Sequence, residues 1–169
     1  VDLAAFLPVH WPETRPGPWL KDHLPEGGRV GFDPWLHTTG EIEAIETALE
    51  GTGIELTPVT NLIDELWEDR PAPPQGPMWA HPDQFAGMAH AEKRAQVAQT
   101  LRDAGQRAAV LTLSDSIAWL LNIRGNDIPR IPVVQGFAIL HDDARVDLYT
   151  HPARPAGIGD HFGPEVSLY

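Results

Sequence analysis

The chain has 169 residues, no cysteine, and 24 acidic against 12 basic side chains, which gives a formal net charge of −12. A field of that sign repels phosphate backbones and anionic lipid surfaces, so it argues against nucleic-acid and membrane-surface partners. The absence of cysteine excludes disulfides, thiolate zinc sites and cysteine nucleophiles, and it is consistent with a cytoplasmic protein.

The first half of the chain alternates predicted helices and strands. Residues 1–15 lack periodicity and are rich in proline, so we predict an irregular lead-in there. The clearest helix is 38–51, where Thr38 and Glu41 have capping-box spacing and Gly51 can take the left-handed stop position. Around it we expect, in chain order, a short helix with Pro18 at its first position, strands over 29–33 and 54–59, and a helix over 61–68 capped by Asn61.

A proline-rich stretch divides the chain. Residues 69–88 begin DRPAPPQGP, and proline at this density is incompatible with a helix interior or a central strand. We therefore predict a semi-rigid linker over 69–88 and a domain boundary within it.

The second half has its own alternation of elements. We predict a helix over 89–105 with Ala91, Ala95, Ala98 and Leu101 on its buried face, and a strand over 108–113 that is covered on both sides. Ser114 is expected to cap the next helix. A hairpin of 132–140 and 145–150 and a last strand over 165–169 complete the series. This order predicts an α/β fold in which helices flank a mixed sheet.

Most of the chemically capable residues have an ordinary structural explanation. None of the eight histidines is paired with another at helical spacing, so the sequence predicts no metal site, although ligands from distant parts of the chain stay open. Neighbouring acids such as Asp142 and Asp143 suit turns and solvated helix faces. No phosphate-binding or nucleophile-elbow motif is present, so we assign no catalytic residue.

The segment NIRGND (122–127) is the strongest candidate for a functional site. As a helix end, it would use Arg124 for the last carbonyl groups and Gly125 for the left-handed position. That explanation does not account for so many polar groups directly before two prolines and a strand. Rigid loops beside strands often carry binding residues, so a ligand role and a purely structural role both stay open.

Three motifs resemble one known family in its own order. SIAWLLNIRGNDIPRIP resembles the D-x-I-A-W-L-x-N-x-R-G-x-D-x-x-x-x-P segment in the second domain of three-domain Xaa-Pro aminopeptidases. NLIDELWEDRPAPP is similar to the linker of that family, and VGFDP to its [IV]-G-x-D-P strand. Together these motifs extend over most of residues 29–140.

The resemblance implies a non-catalytic region of a cytosolic metallopeptidase that removes the residue before proline. It implies a creatinase-N-terminal fold with ribonuclease H-like topology, with 16–68 as the back part of domain one and 89–169 as the front part of domain two. Two Mn²⁺-type ions are implied for a C-terminal catalytic domain whose metal-binding motifs are absent from this sequence, so no metal or other cofactor is expected here.

The resemblance also implies partners. These are the protein's own catalytic domain, a second subunit in a homodimer, and the peptide substrate. By motif position, Asn122, Arg124 and Asp127 are expected to face the substrate or a domain interface, and so to serve assembly, dimerisation and substrate gating.

Two further interpretations bear on the extent of the protein. The chain begins Val-Asp-Leu, without an initiator methionine or a leader, so we interpret it as a piece of a longer protein. Its two halves could then pack as one composite sheet or exchange between chains. The alternative is a free-standing α/β module that binds a small molecule or a protein and has no peptidase activity.

Overall fold

The computed structural model describes residues 2–151 and 158–169, and it divides the chain into two units, Val1–Pro71 and Ala72–Tyr169. The division falls inside the proline-rich stretch, at Pro71 and Ala72. The predicted class, α/β with a mixed sheet and flanking helices, is confirmed.

The first unit packs helices beside a parallel two-stranded sheet. Its elements are α1 (Pro16–His23), β1 (Gly28–Phe32), α2 (Thr39–Leu49), β2 (Ile54–Pro58) and α3 (Leu62–Leu66). β1 and β2 run parallel from the pair Gly28–Ile54 to the pair Phe32–Pro58.

Local signals set the helix boundaries in this unit. The side chain of Thr38 accepts a hydrogen bond from the backbone N–H of Glu41, and the Glu41 carboxylate accepts one from the N–H of Thr38, so the predicted capping box is confirmed. Asn61 caps α3 as predicted. The first helix begins at Pro16, two residues earlier than expected. Pro16 and Pro18 both fit the first helical turn, where a missing N–H group costs nothing, so the sequence did not distinguish between the two starts.

The second unit contains a four-stranded mixed sheet and a small two-stranded ribbon. Its elements are β3 (Met78–Ala80), α4 (Asp83–Ala86), α5 (His90–Asp103), β4 (Ala108–Leu111), α6 (Ser114–Leu121), β5 (Ile123–Gly125), β6 (Phe137–His141), β7 (Val146–Tyr149), α7 (Gly159–Phe162) and β8 (Val166–Leu168). The large sheet has the order β4-β6-β7-β8, antiparallel except for the parallel pair β7–β8. β3 and β5 pair antiparallel in the ribbon.

The core of this unit lies between the large sheet and helices α5 and α6. Its most deeply buried side chains are Ile117, Leu121, Ile123, Val134, Leu140, Val146 and Leu148. Leu121 directly precedes the candidate segment and Ile123 lies within it, so that segment begins inside the core.

Several expectations were wrong in the second unit. β4 is an edge strand with alternating exposure, so it is not covered on both faces. Leu113 occupies the cap position of α6 and Ser114 lies inside the helix.

Helix α5 buries the second half of the predicted face, Ala98 and Leu101, but not the first half. Lys93, Arg94, Ala98 and Leu101 are buried, whereas Ala91 and Ala95 are exposed. The alanines suggested an apolar stripe, but the long side chains of Lys93 and Arg94 can bury their methylene groups and carry a charge into the interior when hydrogen-bond acceptors are present.

The predicted linker, residues 69–88, contains a strand and a short helix. Residues 78–80 form β3 because they find a pairing partner in β5, and residues 83–86 form α4. The partner strand lies more than 40 positions further along the chain, so local composition could not reveal this pairing.

Candidate functional site

Asn122 is the hub of the candidate segment. It follows the last residue of α6 with φ 49°, the left-handed region, which asparagine tolerates better than most residues. Its side chain is 1% exposed. The carboxamide nitrogen donates to Asp83 Oδ1 at 2.9 Å and to the Met88 carbonyl at 2.8 Å. The expectation that Gly125 takes the left-handed position was wrong, because Asn122 ends the helix three residues earlier.

The carboxamide oxygen of Asn122 accepts from a buried ammonium group. Lys93 Nζ lies 2.6 Å from Asn122 Oδ1 and 3.1 Å from the Trp119 carbonyl oxygen. It also sits 4.7 Å from the centre of the Trp119 ring, within cation–π distance. Lys93 is only 3% exposed. Its hydrogen bonds go to neutral acceptors, and the Asp83 carboxylate lies on the far side of the Asn122 carboxamide.

The surroundings of Lys93 shift its pKa. Burial lowers the pKa of Lys93, and the positive charge of Arg124 lowers it further, while the negative charge of Asp83 raises it. Lys93, Asn122 and Asp83 therefore form one polar network that joins α5, the end of α6 and α4. Sequence reasoning missed Lys93 and Asp83, because only the fold brings residues 29 and 39 positions away to Asn122.

Arg124 is the one predicted site residue with a partly exposed side chain. It lies in β5, and Nη1 donates to the carbonyl oxygens of Ile123 at 2.8 Å and Ala118 at 3.3 Å. In the described part of the chain its Nε and Nη2 groups donate to no other residue. The register pairs Arg124 with Trp79 of β3, so the two side chains share the outer face of the ribbon.

Two tryptophans extend this outer face. Trp79 is 42% exposed and Trp119, which covers Lys93, is 52% exposed. We call the surface formed by Trp79, Trp119 and Arg124 the Trp–Arg face. Tryptophan and arginine are the residue types that most often carry the binding energy of protein interfaces.

Asp127 has an internal role. It is buried, and its carboxylate accepts from the backbone N–H groups of Gln135 at 2.7 Å and Gly76 at 3.2 Å. A side chain at Gly76 would collide with Asn126, since a Cβ atom there would lie 2.0 Å from Asn126 Oδ1. Asp127 thus holds the proline-rich stretch close to the segment before β6.

The three predicted residues therefore separate by role. Asn122 and Asp127 are buried and hydrogen-bonded within the second unit, whereas Arg124 presents part of its guanidinium on the surface. No group of three His, Cys, Asp or Glu side chains that could hold a metal ion occurs within 2–151 and 158–169. Among the same residues, no helix is both long enough and apolar enough to cross a membrane.

Comparisons with known proteins agree on one family. Residues 69–168 match the creatinase/prolidase N-terminal domain family. Aminopeptidase P2 of Arabidopsis thaliana is 38% identical over 128 residues, which are 74% of this chain and 18% of that protein. Xaa-Pro aminopeptidase 2 of Sus scrofa is 35% identical over 140 residues, 80% of this chain and 21% of that protein. The chain thus spans about a fifth of the length of these relatives.

A solved structure has a similar fold over most of the chain. The crystal structure of an X-prolyl aminopeptidase from Caenorhabditis elegans, described as a cytosolic enzyme with a di-nuclear active site, matches with a TM-score of 0.81 and 29% identity. The match covers 89% of this chain and 25% of that enzyme.

Proposed function

This chain belongs to the creatinase/prolidase N-terminal domain family, and from that premise we propose that it is a non-catalytic region of an Xaa-Pro aminopeptidase. The parent protein would hydrolyse the bond that precedes a proline in second position and release the N-terminal residue. The single observation that carries this proposal is the structural match to the nematode enzyme over 89% of the chain.

We propose that catalysis takes place outside this chain. Two metal ions of the Mn²⁺ type would bind in a C-terminal catalytic domain, in keeping with the di-nuclear site of the nematode enzyme. The donor set supports this assignment, because the described residues offer no three converging metal ligands. A cytoplasmic location is proposed on the same grounds of similarity.

The domain assignment is also a proposal. Residues 16–68 would be the back part of the first family domain and 89–169 the front part of the second, with 1–15 as a lead-in and 69–88 as the linker. The division into units at Pro71 and Ala72 supports a boundary inside that linker.

The Trp–Arg face is our candidate for contact with the catalytic domain, the peptide substrate or a second subunit. Because Nη1 of Arg124 is tied to two backbone carbonyls, the guanidinium is held in place before any partner arrives. Its remaining Nε and Nη2 groups are the pair that binds a carboxylate through two parallel hydrogen bonds. Asn122 and Asp127 would act indirectly, by fixing the backbone on both sides of Arg124.

The first test compares this chain with the complete gene product in hydrolysis of Xaa-Pro dipeptides and tripeptides with added Mn²⁺. We expect a silent chain beside an active complete protein. Activity in the chain itself would overturn the non-catalytic assignment. An inactive complete protein would instead favour the free-standing binding module.

The second test replaces Arg124 with alanine in the complete protein. A charge-assisted hydrogen bond contributes about 1.5–3 kcal/mol, so its loss should lower kcat/KM or weaken the dimer by roughly tenfold to a hundredfold. Arg145→Ala is the matched control, because Arg145 is an exposed arginine paired with Asp143 in a hairpin turn. Unchanged kcat/KM for peptides of several lengths, with an unchanged oligomeric state, would contradict the interface role. A loss of thermal stability alone would make Arg124 a helix-end residue.

A further inference from the structure

Two histidine rings are in contact, tilted by 38°, where the last described segment, residues 158–169, meets helices α5 and α6. His90 is the first residue of α5 and His161 lies in α7, and their ring centres are 4.7 Å apart. His90 Nε2 lies 2.9 Å from the carbonyl oxygen of His161, and His161 Nε2 lies 2.8 Å from that of Leu121. A carbonyl only accepts, so each Nε2 carries the hydrogen and donates it.

Because Nε2 of the neutral His90 ring carries the hydrogen, Nδ1 has only a lone pair. His90 Nδ1 is buried and has no hydrogen-bond partner in the described part of the chain. Protonation would place an N–H group there without an acceptor, and an unsatisfied buried donor is costly. The neutral form of His90 is therefore the one that fits this site.

The charges around His90 mostly disfavour a second cation. The N-terminus of α5 carries the positive end of the helix dipole, and His90 occupies its first position. Arg94 is buried one turn further along the same face, and the ring of His161 contacts that of His90. The negative charge of Asp83, in α4, favours the protonated form of His90, but the Asp83 carboxylate already accepts a hydrogen bond from Asn122.

The segment held by this pair is small and depends on few anchors. Its apolar anchors are Ile158, Phe162 and Val166, all buried. β8 is a three-residue edge strand that pairs only with β7. The ion pair between Arg94 and Glu165 is long, at 3.9 Å. Backbone hydrogen bonds to β7 hold residues 165–169, and the two hydrogen bonds of His161 tie α7 to His90 and to the end of α6.

We propose that His90 and His161 form a pH-sensitive latch, which holds residues 158–169 against α5 and α6 when both rings are neutral and loosens that segment when His90 becomes protonated. The proposal does not depend on the peptidase assignment, because it concerns only contacts within the second unit.

The direction of the pH effect follows from the state of His90 in the docked segment. Burial lowers the pKa of His90 below its ordinary value, and the charges of His161 and Arg94 lower it further against smaller opposing contributions. With the segment undocked, the ring regains an ordinary pKa of about 6.5. The undocked form thus binds protons more readily, so docking is fully stable above that pH and weakens as the pH falls below it.

The test is backbone hydrogen exchange of the whole chain between pH 7.5 and 5.5, corrected for the intrinsic pH dependence of exchange. The reporters are the amides of His161 and Tyr169, which donate to Ile158 and Leu148. Below pH ~6.5 their protection should fall, with a limiting slope of about tenfold per pH unit for one proton. The amide of Leu140 in the central strand β6 should keep its protection.

His90→Gln keeps an N–H donor for the His161 carbonyl but cannot be protonated in this range. In that variant we expect the protection of residues 158–169 to be independent of pH, whereas His81→Gln, a change beside Phe85 on α4, should retain the wild-type dependence. Wild-type protection that does not change with pH, or an unchanged dependence in His90→Gln, would overturn the proposal.

A second measurement covers the case in which His90→Gln does not fold. Titration of the imidazole signals of the unmodified chain should give His90 a midpoint below the ordinary histidine value of about 6.5, with the hydrogen on Nε2 at neutral pH. A His90 midpoint at or above that value would overturn the proposal without any substitution.

Discussion

Replacing Asn122 with alanine is expected to destabilise the second unit by at least about 3 kcal/mol. The substitution removes three side-chain hydrogen bonds at once, and it leaves an alanine in the left-handed region at φ 49°. Because Asn122 is 1% exposed, water cannot replace the lost partners without opening the structure.

The magnitude comes from three contributions. A left-handed backbone costs an ordinary residue about 1–2 kcal/mol. The loss of the Asn122 oxygen removes one of two acceptors from the buried ammonium of Lys93, and hydrogen bonds to a charged group contribute about 1.5–3 kcal/mol. The bonds to Asp83 and Met88 add about 0.5–1.5 kcal/mol each, less where solvent reaches the exposed Asp83.

Native-state hydrogen exchange in urea, read at the amides of α6, measures this loss in the unit that contains Asn122. Asn122→Gly removes the same side chain without the backbone strain, so it should be less destabilising than Asn122→Ala by about 1 kcal/mol. Asn61→Ala is the matched control, since it removes the exposed cap of α3 at a cost of about 1 kcal/mol and in the other unit. If Asn122→Ala lost no more stability than Asn61→Ala, the network described here would not be a stabilising one.

Three further predictions address other parts of the chain. Asp127→Asn replaces one carboxylate oxygen, which accepts from a backbone N–H group, with an NH₂ group that is itself a donor. We expect the free energy of unfolding in urea to fall by about 1–3 kcal/mol and hydrogen exchange to become faster at the amides of Gly76 and Gln135. Gly125→Ala would put a Cβ atom 2.6 Å from a Val134 methyl group and lower the thermal midpoint of the second unit, whereas Gly40→Ala meets nothing within 4 Å and should leave stability equal or higher. The backbone N–H of Thr38 and, less strongly, its hydroxyl group lower the pKa of Glu41 by donating to its carboxylate. Thr38→Ala removes only the hydroxyl, so the pKa of Glu41 should rise part of the way toward its ordinary value, as measured by carboxyl titration by NMR. The support that Glu41 gives to α2 should be lost as the pH falls through that pKa.

Prediction from the sequence succeeded where the deciding contacts are local. The capping box of Thr38 and Glu41 and the cap at Asn61 involve residues two or three positions apart, so the sequence contains the whole interaction. The hairpin of β6 and β7 was found for the same reason, since its strands are joined by a short turn.

Prediction failed where a distant residue supplies a partner. Both Asn122 and Gly125 can adopt the left-handed conformation at the end of α6, and helix-end patterns alone favoured the glycine. Asn122 takes that position in the fold, where Lys93 and Asp83 satisfy its side chain from 29 and 39 residues away. The same contact explains why α5 buries Lys93, whereas Ala91 and Ala95 are exposed.

The sequence by itself determined the class of fold, most element positions, the acidic charge and the likeness to Xaa-Pro aminopeptidases, because each of these depends on composition, short-range spacing or motif order. The tertiary structure alone decided which polar groups are buried and which are available to a partner. Burial depends on contacts between elements far apart in the chain, so only the folded molecule separates the internal Asn122 and Asp127 from the partly exposed Arg124.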